Sequence, residues 1–290
     1  MEMGAKVAVI QCNPQIGVEH ISQNVQSSLK WAEQAVTNGA NLVVFPELAT
    51  TGYVFHDRKE AFAHAQPAQG GEIVSTWEDF CRQKNIYLSG SLVERDGENL
   101  YNTAVLIGPN GYIGKYRKTH LWDRDKLFFT PGNLGFPVFE TELGRIGMLI
   151  CWDVWFPETF RILAVQGADL ICTLNNWVYT PGPLFDEIGR CMPVYHSMSA
   201  AQANGVYIAA ANRVGTERDA KFLGNSVIVG PNGWPIEIAD SEQETMLSAE
   251  IDLANSRRKH WTSLNDILTD RRKDLYDELV GYRQGQAAPR

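Results

Sequence analysis

Two pairs of internal echoes constrain this chain more than any other feature of its sequence. "NGANLVVF" (38–45) is matched by "QGADLICT" (166–173), and "VLIGPNGYIGK" (105–115) by "VIVGPNGWPIE" (227–237). In the first pair a helix ends at glycine, then alanine leads into an apolar run. In the second, two strands flank a Pro-Asn-Gly turn, where glycine supplies the positive φ. Both pairs occur in the same order along the chain. The reading is a duplicated α/β unit, each half a sheet with helices on one side. Two such halves bury their bare faces against each other, which predicts a four-layer α-β-β-α sandwich of two pseudo-symmetric halves.

The remaining pattern fits that plan. "KVAVIQC" (6–12) reads as a buried strand. "SQNVQSSLKWAEQAVTNGA" reads as a helix, with Val25, Leu29, Ala32 and Val36 at three- and four-residue steps and Gly39 placed to cap it. "NLVVFPE" (41–47) is a second strand, ended by Pro46. A helix over 71–84 leads into the strand "IYLSGSLVE". "GRIGMLIC" is a strand before a helix that opens on Pro157, proline's favoured first position. "ADLICTLNN" (168–176) is the next strand, and a helix across 186–204 precedes "GVYIAAANR".

Composition narrows the class of protein. Hydrophobic content of 44% and charged content of 21% describe an ordinary soluble globular chain. A net charge of −8 argues against nucleic acid or an anionic membrane as partner. The apolar run in "MEMGAKVAVIQCNP" is too short for a signal peptide or a membrane span. Cys12, Cys81, Cys151, Cys172 and Cys191 are odd in number, widely spaced and free of any C-x-x-C pair. That excludes a disulfide framework and argues against a zinc site. The expectation is a cytoplasmic protein with free thiols and no metal.

In "GRIGMLICWDVWFPETFR" (144–161) an apolar run stops at Cys151. Cysteine is among the most buried residue types, so one more core thiol is the ordinary reading. Two other residues of catalytic type stand in similar places: Glu47 closes "NLVVFPE", and Lys118 follows the first hairpin in "YIGKYRKTHL". In an α/β fold the carboxyl ends of strands gather at one site, so the three can converge. A thiol with a pKa of ~8.5 needs a base or a positive neighbour. A carboxylate with a raised pKa can take its proton and return it to a leaving amine. A lysine favours the thiolate and stabilises an oxyanion, with the Trp152 backbone N–H as second donor. His120, in "KTHLW", reads as a structural residue at a strand end.

Glu in "PELATTGY", Lys in "YRKTHL" and Cys in "ICWDVWFPETFR", in that order, resemble the nitrilase superfamily of carbon–nitrogen hydrolases. "KVAVIQCNPQIGVEHISQN", "FFTPGNLGFPVF", "AAANRVG", "GNSVIVGPNG" and "TDRRKDLY" extend the likeness over nearly the whole chain. The resemblance implies Cys151 as nucleophile, Glu47 as general base and Lys118, rather than the nearby Lys115, as the oxyanion-stabilising lysine. The family often carries a second glutamate before the cysteine. This chain has Asp125 there, one methylene shorter, with Asp123 the lesser alternative. The implied organisation is a hydrolase domain over 1–252 and a tail over 253–290 that supports a homodimer or larger even-numbered assembly. No cofactor is implied.

The substrate is read from fewer residues. "CWD" resembles the amidase and carbamoylase branches, whereas nitrilases proper tend to carry C-W-E. "CWDVWFPE" is similar to N-carbamoylputrescine amidases, but "HLWDRDKLFFTPG" lacks their longer insertion. Carbamoyl-amino-acid hydrolases place an arginine where Val154 and Trp155 stand, which disfavours a free carboxylate. Tyr53, Trp122, Trp152, Trp155, Asn176 and Trp177 are the candidate pocket residues. The expectation is an amidase releasing ammonia from small aliphatic or aryl-substituted carboxamides. N-carbamoyl amines, nitriles and a non-catalytic binding role are the alternatives.

Overall fold

The computed structural model describes residues 4–279. The first half contributes strands β1 (Gly4–Gln11), β2 (Leu42–Val44), β3 (Tyr87–Asp96), β4 (Asn99–Gly108) and β5 (Gly111–Arg117), with helices α1 (Ile21–Thr37), α2 (Arg58–Ala63) and α3 (Glu72–Lys84). A short helix α4 (Asp125–Phe128) leads into the second half. Its strands are β6 (Val138–Glu140), β7 (Arg145–Ile150), β8 (Leu170–Leu174) and β9 (Tyr207–Ala211), a small hairpin β10 (Thr216–Glu217) and β11 (Ala220–Lys221), then β12 (Val227–Val229) and β13 (Pro235–Ile238). Helices α5 (Pro157–Val165) and α6 (Met192–Asn204) belong to this half. Strand β14 (Thr245–Asp252) and helix α7 (Lys273–Leu279) complete the described chain.

The duplication is visible in the topology. One six-stranded sheet runs β14-β1-β2-β3-β4-β5, the other β6-β7-β8-β9-β12-β13. In each, an antiparallel edge strand precedes three parallel strands, and an antiparallel hairpin follows. The echoed segments fall on matching elements, β2 with β8 and β4–β5 with β12–β13. The one departure is β14, which lies beyond the second half in sequence yet edges the first sheet.

Period-two alternation builds the layers. Val7 and Val9 of β1, Leu42 and Val44 of β2, and Ala104 and Leu106 of β4 face the second sheet. Ala8, Ile10, Val43, Phe45, Val105 and Ile107 face the other way, under α1 and α3. Helices α5 and α6 cover the outer face of the second sheet. The four-layer α-β-β-α sandwich is therefore the observed architecture.

Local expectations mostly hold, with two adjustments. Helix α1 ends as expected at Gly39, whose φ of 83° turns the chain so that the Ala40 N–H reaches back to the Ala35 carbonyl. The helix expected across 186–204 begins only at Met192. Residues 186–190 form a turn instead, in which Asp186 Oδ1 accepts from the Ile188 and Arg190 backbone N–H groups. Strand β2 is shorter than 41–47, because Pro46 has no N–H to extend the ladder.

Beyond β14, Asp169 pairs with Arg257, and Lys259 Nζ donates to the Asn204 and Gly205 carbonyls at the end of α6. Arg257 and Lys259 thus tie the start of the tail to its own chain, and the last part of the 253–290 segment falls outside the described residues.

Candidate active site

Four strands of the two sheets end at one place. Glu47 follows β2, Lys118 follows β5, Cys151 follows β7, and Asn176 follows β8. Two of these ends are held in a conformation that side chains disfavour. Cys151 has φ 46° and Leu48, next to Glu47, has φ 50°, each costing on the order of 1 kcal/mol or more. Cys151 opens a 3-10 turn over Cys151–Trp155, so the Trp152 N–H lies in the first turn, where the helix offers no acceptor.

Lys118 is fully buried, and its Nζ donates to Glu47 Oε1 at 2.7 Å and to Asp125 Oδ2 at 2.6 Å. Asn102 Nδ2 donates to the same Glu47 oxygen at 2.6 Å. The other oxygen, Oε2, is buried and has no partner. Asn176 Nδ2 holds the Glu47 backbone carbonyl at 3.0 Å, and the Asn176 backbone N–H is directed at the Cys151 sulfur. Lys115 lies elsewhere, paired with Glu94 in a cluster with Arg117. Asp123 is exposed, whereas Asp125 is buried against Lys118.

The charges explain the protonation states. Burial pushes the Glu47 carboxyl up, against the pull of Lys118. Burial alone would lower Lys118, but Asp125 and Glu47 outweigh it, so the ammonium stays charged. Burial and the Glu47 charge hold the Cys151 thiol well above its ordinary value, with Lys118 and the Asn176 N–H opposing. The resting arrangement is thus a protonated thiol beside a carboxyl of raised pKa. Tyr53 lies beside Asp125, and burial followed by the Asp125 charge pushes its phenol well up, so it stays a hydrogen-bond donor.

Cys151 opens onto a cavity of ≈ 220 Å³. Trp122, Trp152, Trp155, Asn176 and Trp177 line it, together with Leu184, Pro193 and Leu223, and none of its lining residues is charged. Trp152 contacts Trp122 and Trp155 at ring-centroid distances of 4.4 and 4.8 Å. Tyr53 is not on this wall; it lines an adjoining recess with Asp125, the two spaces sharing Trp122 and Val178. His120 stacks on Phe156 at 3.8 Å and pairs with Asp153, a structural place as expected. Asn102 was not singled out from the sequence. Its signal was an amide inside a strand that is buried along nearly its whole length, a position that demands a partner. The loop residues Pro183 and Leu184 gave no signal, because their place on the wall depends on where the 178–191 loop folds back.

Among the described residues no group of three or more His, Cys, Asp or Glu side chains could hold a metal ion, and no helix is long and apolar enough to cross a membrane.

Known proteins match this chain over most of its length. The family model for carbon-nitrogen hydrolases matches residues 6–260. A protein named nitrilase from Pyrococcus abyssi is 43% identical over 271 residues, covering 93% of this chain and 98% of that one. The carbon-nitrogen hydrolase of Helicobacter pylori G27 superposes with a TM-score of 0.82 at 28% identity, covering 96% of this chain and 99% of that one. A cysteine-to-alanine mutant of the amidase from Nesterenkonia sp. AN1, solved in complex with butyramide, gives 0.76 at 26% identity, covering 94% of this chain and 96% of that one. The chain is a carbon–nitrogen hydrolase of the nitrilase superfamily.

Proposed function

We propose that the protein is an amidase that hydrolyses small, uncharged carboxamides through a Cys151 thioester. The observation that carries this reading is the cavity itself, walled by tryptophans, bare of charge, with the thiol at its base and Glu47, Lys118 and Asp125 beside it. A wall without a cation offers nothing to a substrate carboxylate, and one without an anion offers nothing to an ammonium. A neutral aliphatic or aryl acyl group fits both conditions.

The residues divide the chemistry between them. Glu47 takes the thiol proton as sulfur attacks the carboxamide carbon. The carbonyl oxygen gains the electron pair and is stabilised by the Lys118 ammonium and the Trp152 N–H. Collapse of this intermediate breaks the C–N bond, and Glu47 passes its proton to the departing nitrogen, which leaves as ammonia. Water, deprotonated by the same carboxylate, then cleaves the thioester and restores the thiol. Asp125 keeps Lys118 charged and fixed throughout.

A second reading, nitrile hydrolysis, is favoured by the name of the Pyrococcus abyssi relative. Ammonia release from a panel of simple amides, N-carbamoyl amines and nitriles, by the native protein and by Cys151→Ala, separates the readings. Amide turnover abolished in the mutant is the expected result. A preference for nitriles or carbamoyl amines would move the substrate class, and equal release by the mutant would remove the thiol mechanism.

A further inference from the structure

Asp153 stands two residues beyond Cys151, is fully buried, and does not line the substrate cavity. Four donors converge on its carboxylate. Oδ2 accepts from the Ile150 backbone N–H at 2.9 Å and from the Tyr116 hydroxyl at 2.8 Å. Oδ1 accepts from the His120 backbone N–H at 3.0 Å and faces His120 Nδ1 at 2.8 Å. A carboxylate taken this far from water is costly, and these four contacts are what compensate it.

The origin of the donors matters more than their number. Ile150 is the last residue of β7 and directly precedes the nucleophile. Tyr116 and His120 stand two residues before and two after Lys118. A single carboxylate therefore ties the turn that presents the thiol to the segment that presents the ammonium. The backbone of Asp153 strengthens the knot, its carbonyl accepting from the Phe156 N–H and from the Thr159 hydroxyl at the start of α5. The stacking of His120 on Phe156 closes the cluster from the other side. Because the φ of 46° at Cys151 is disfavoured, this turn needs such outside support.

We infer that Asp153 is a positioning residue that sets the placement of Cys151 relative to Lys118. The inference rests on the reading of Cys151 as nucleophile. Asp153→Asn is nearly isosteric but offers a single acceptor oxygen. Whichever way the amide turns, its NH2 meets the Ile150 or the His120 backbone N–H, and neither can turn to accept. One side of the cluster then opens. A displacement of about 1 Å in a reacting group costs on the order of 100-fold in rate.

Chloroacetamide, a small neutral carboxamide, is the probe. Its alkylation of the thiol forms an S–C bond as the C–Cl bond breaks and chloride leaves with the electron pair, the thiol proton passing to the base. Saturation kinetics separate KI, which reports filling of the cavity, from kinact, which reports presentation of the thiol, and mass spectrometry locates the adduct. In the native protein the adduct is expected on Cys151. D153N is expected to lower kinact on the order of 100-fold with KI within about twofold of native. A role in stability alone would lower the melting temperature and leave kinact of the folded protein unchanged. If kinact stays within about threefold of native, or if the loss falls on KI, the inference is overturned. Should D153N not fold, Y116F removes one donor of the four, and an unchanged kinact there is equally fatal. A native protein that neither labels at Cys151 nor releases ammonia from chloroacetamide overturns the nucleophile reading and this inference together; where the amide is turned over before it alkylates, kcat for ammonia release is read in place of kinact with the same limits, and native reaction with D153N unaffected overturns the inference alone.

Discussion

Glu47→Gln isolates the base from the rest of the site. Oε1 of Glu47 receives two donors, Lys118 Nζ at 2.7 Å and Asn102 Nδ2 at 2.6 Å. In E47Q those donors oblige the amide oxygen to stay where Oε1 is, which turns the NH2 group to the unpartnered Oε2 position. Shape and both hydrogen bonds survive, while the lone pair that would accept the thiol proton is replaced by a donor. Loss of a general base costs about 10²- to 10⁴-fold, or roughly 2.7–5.5 kcal/mol of activation free energy. Stability should move the other way. The raised carboxyl of Glu47 means that its ionisation opposes folding. Its contribution is therefore fully present below the unfolded glutamate pKa of about 4.3 and is lost as pH rises through the raised folded value. E47Q escapes that loss, so its melting temperature should gain on the native protein's between about pH 4 and neutrality. Steady-state ammonia release and thermal denaturation measured across pH test both halves. Turnover within tenfold of native in a folded E47Q protein would refute Glu47 as the base.

The pH profile of the native enzyme follows from the same shift. Since Glu47 must be ionised to act, kcat/KM should fall on acidification through a pKa above the ordinary glutamate value of about 4.3; an acid limb at or below that value contradicts it. Lys118→Met leaves Glu47 and Asp125 buried without their shared ammonium. The expected cost is about 3–5 kcal/mol at neutral pH, a melting temperature lower by on the order of 10 °C, with recovery on acidification as the Glu47 carboxyl, already raised by burial, protonates. An equal deficit at every pH would show that lost packing, not charge, is responsible. Leu184→Trp fills part of the ≈ 220 Å³ cavity from its loop side. It should spare acetamide and cost benzamide on the order of 10-fold or more in kcat/KM; uniform loss on both would place Leu184 away from the acyl group.

Much of this was legible in the sequence because the relevant signals are local. An apolar run that stops at Glu47 or Cys151 marks a strand end, and the parallel order of the sheets brings such ends together. The repeated Gly-Ala and Pro-Asn-Gly segments gave the two halves directly. What was not legible depends on distant partners. Asn102 matters through Glu47, and Asp153 through Tyr116 and His120, which no spacing rule connects. The premature helix start at 186 had a different cause. Apolar periodicity says nothing of an aspartate that prefers to bond two backbone N–H groups beyond it. The place of β14 was hidden for the most physical reason, since its alternating pattern shows that one face is buried but not which strand lies beside it.

That strand has a consequence for how the protein is made. Strand β1 is paired on one side with β2 and on the other with β14, over a ladder running from Gly4↔Asp252 to Gln11↔Thr245. On a ribosome β14 leaves the exit tunnel long after β1, behind the whole of the second half. Until then the first sheet carries an open edge flanked by apolar faces, the kind of surface that recruits strands from other chains. Nascent or truncated chains ending before Thr245 should accordingly depend on chaperones or aggregate, however much sequence their first half shares with the second. The repeat doubled the plan of the molecule but not its independence, because the first half is finished only by the arrival of a strand from beyond the second half.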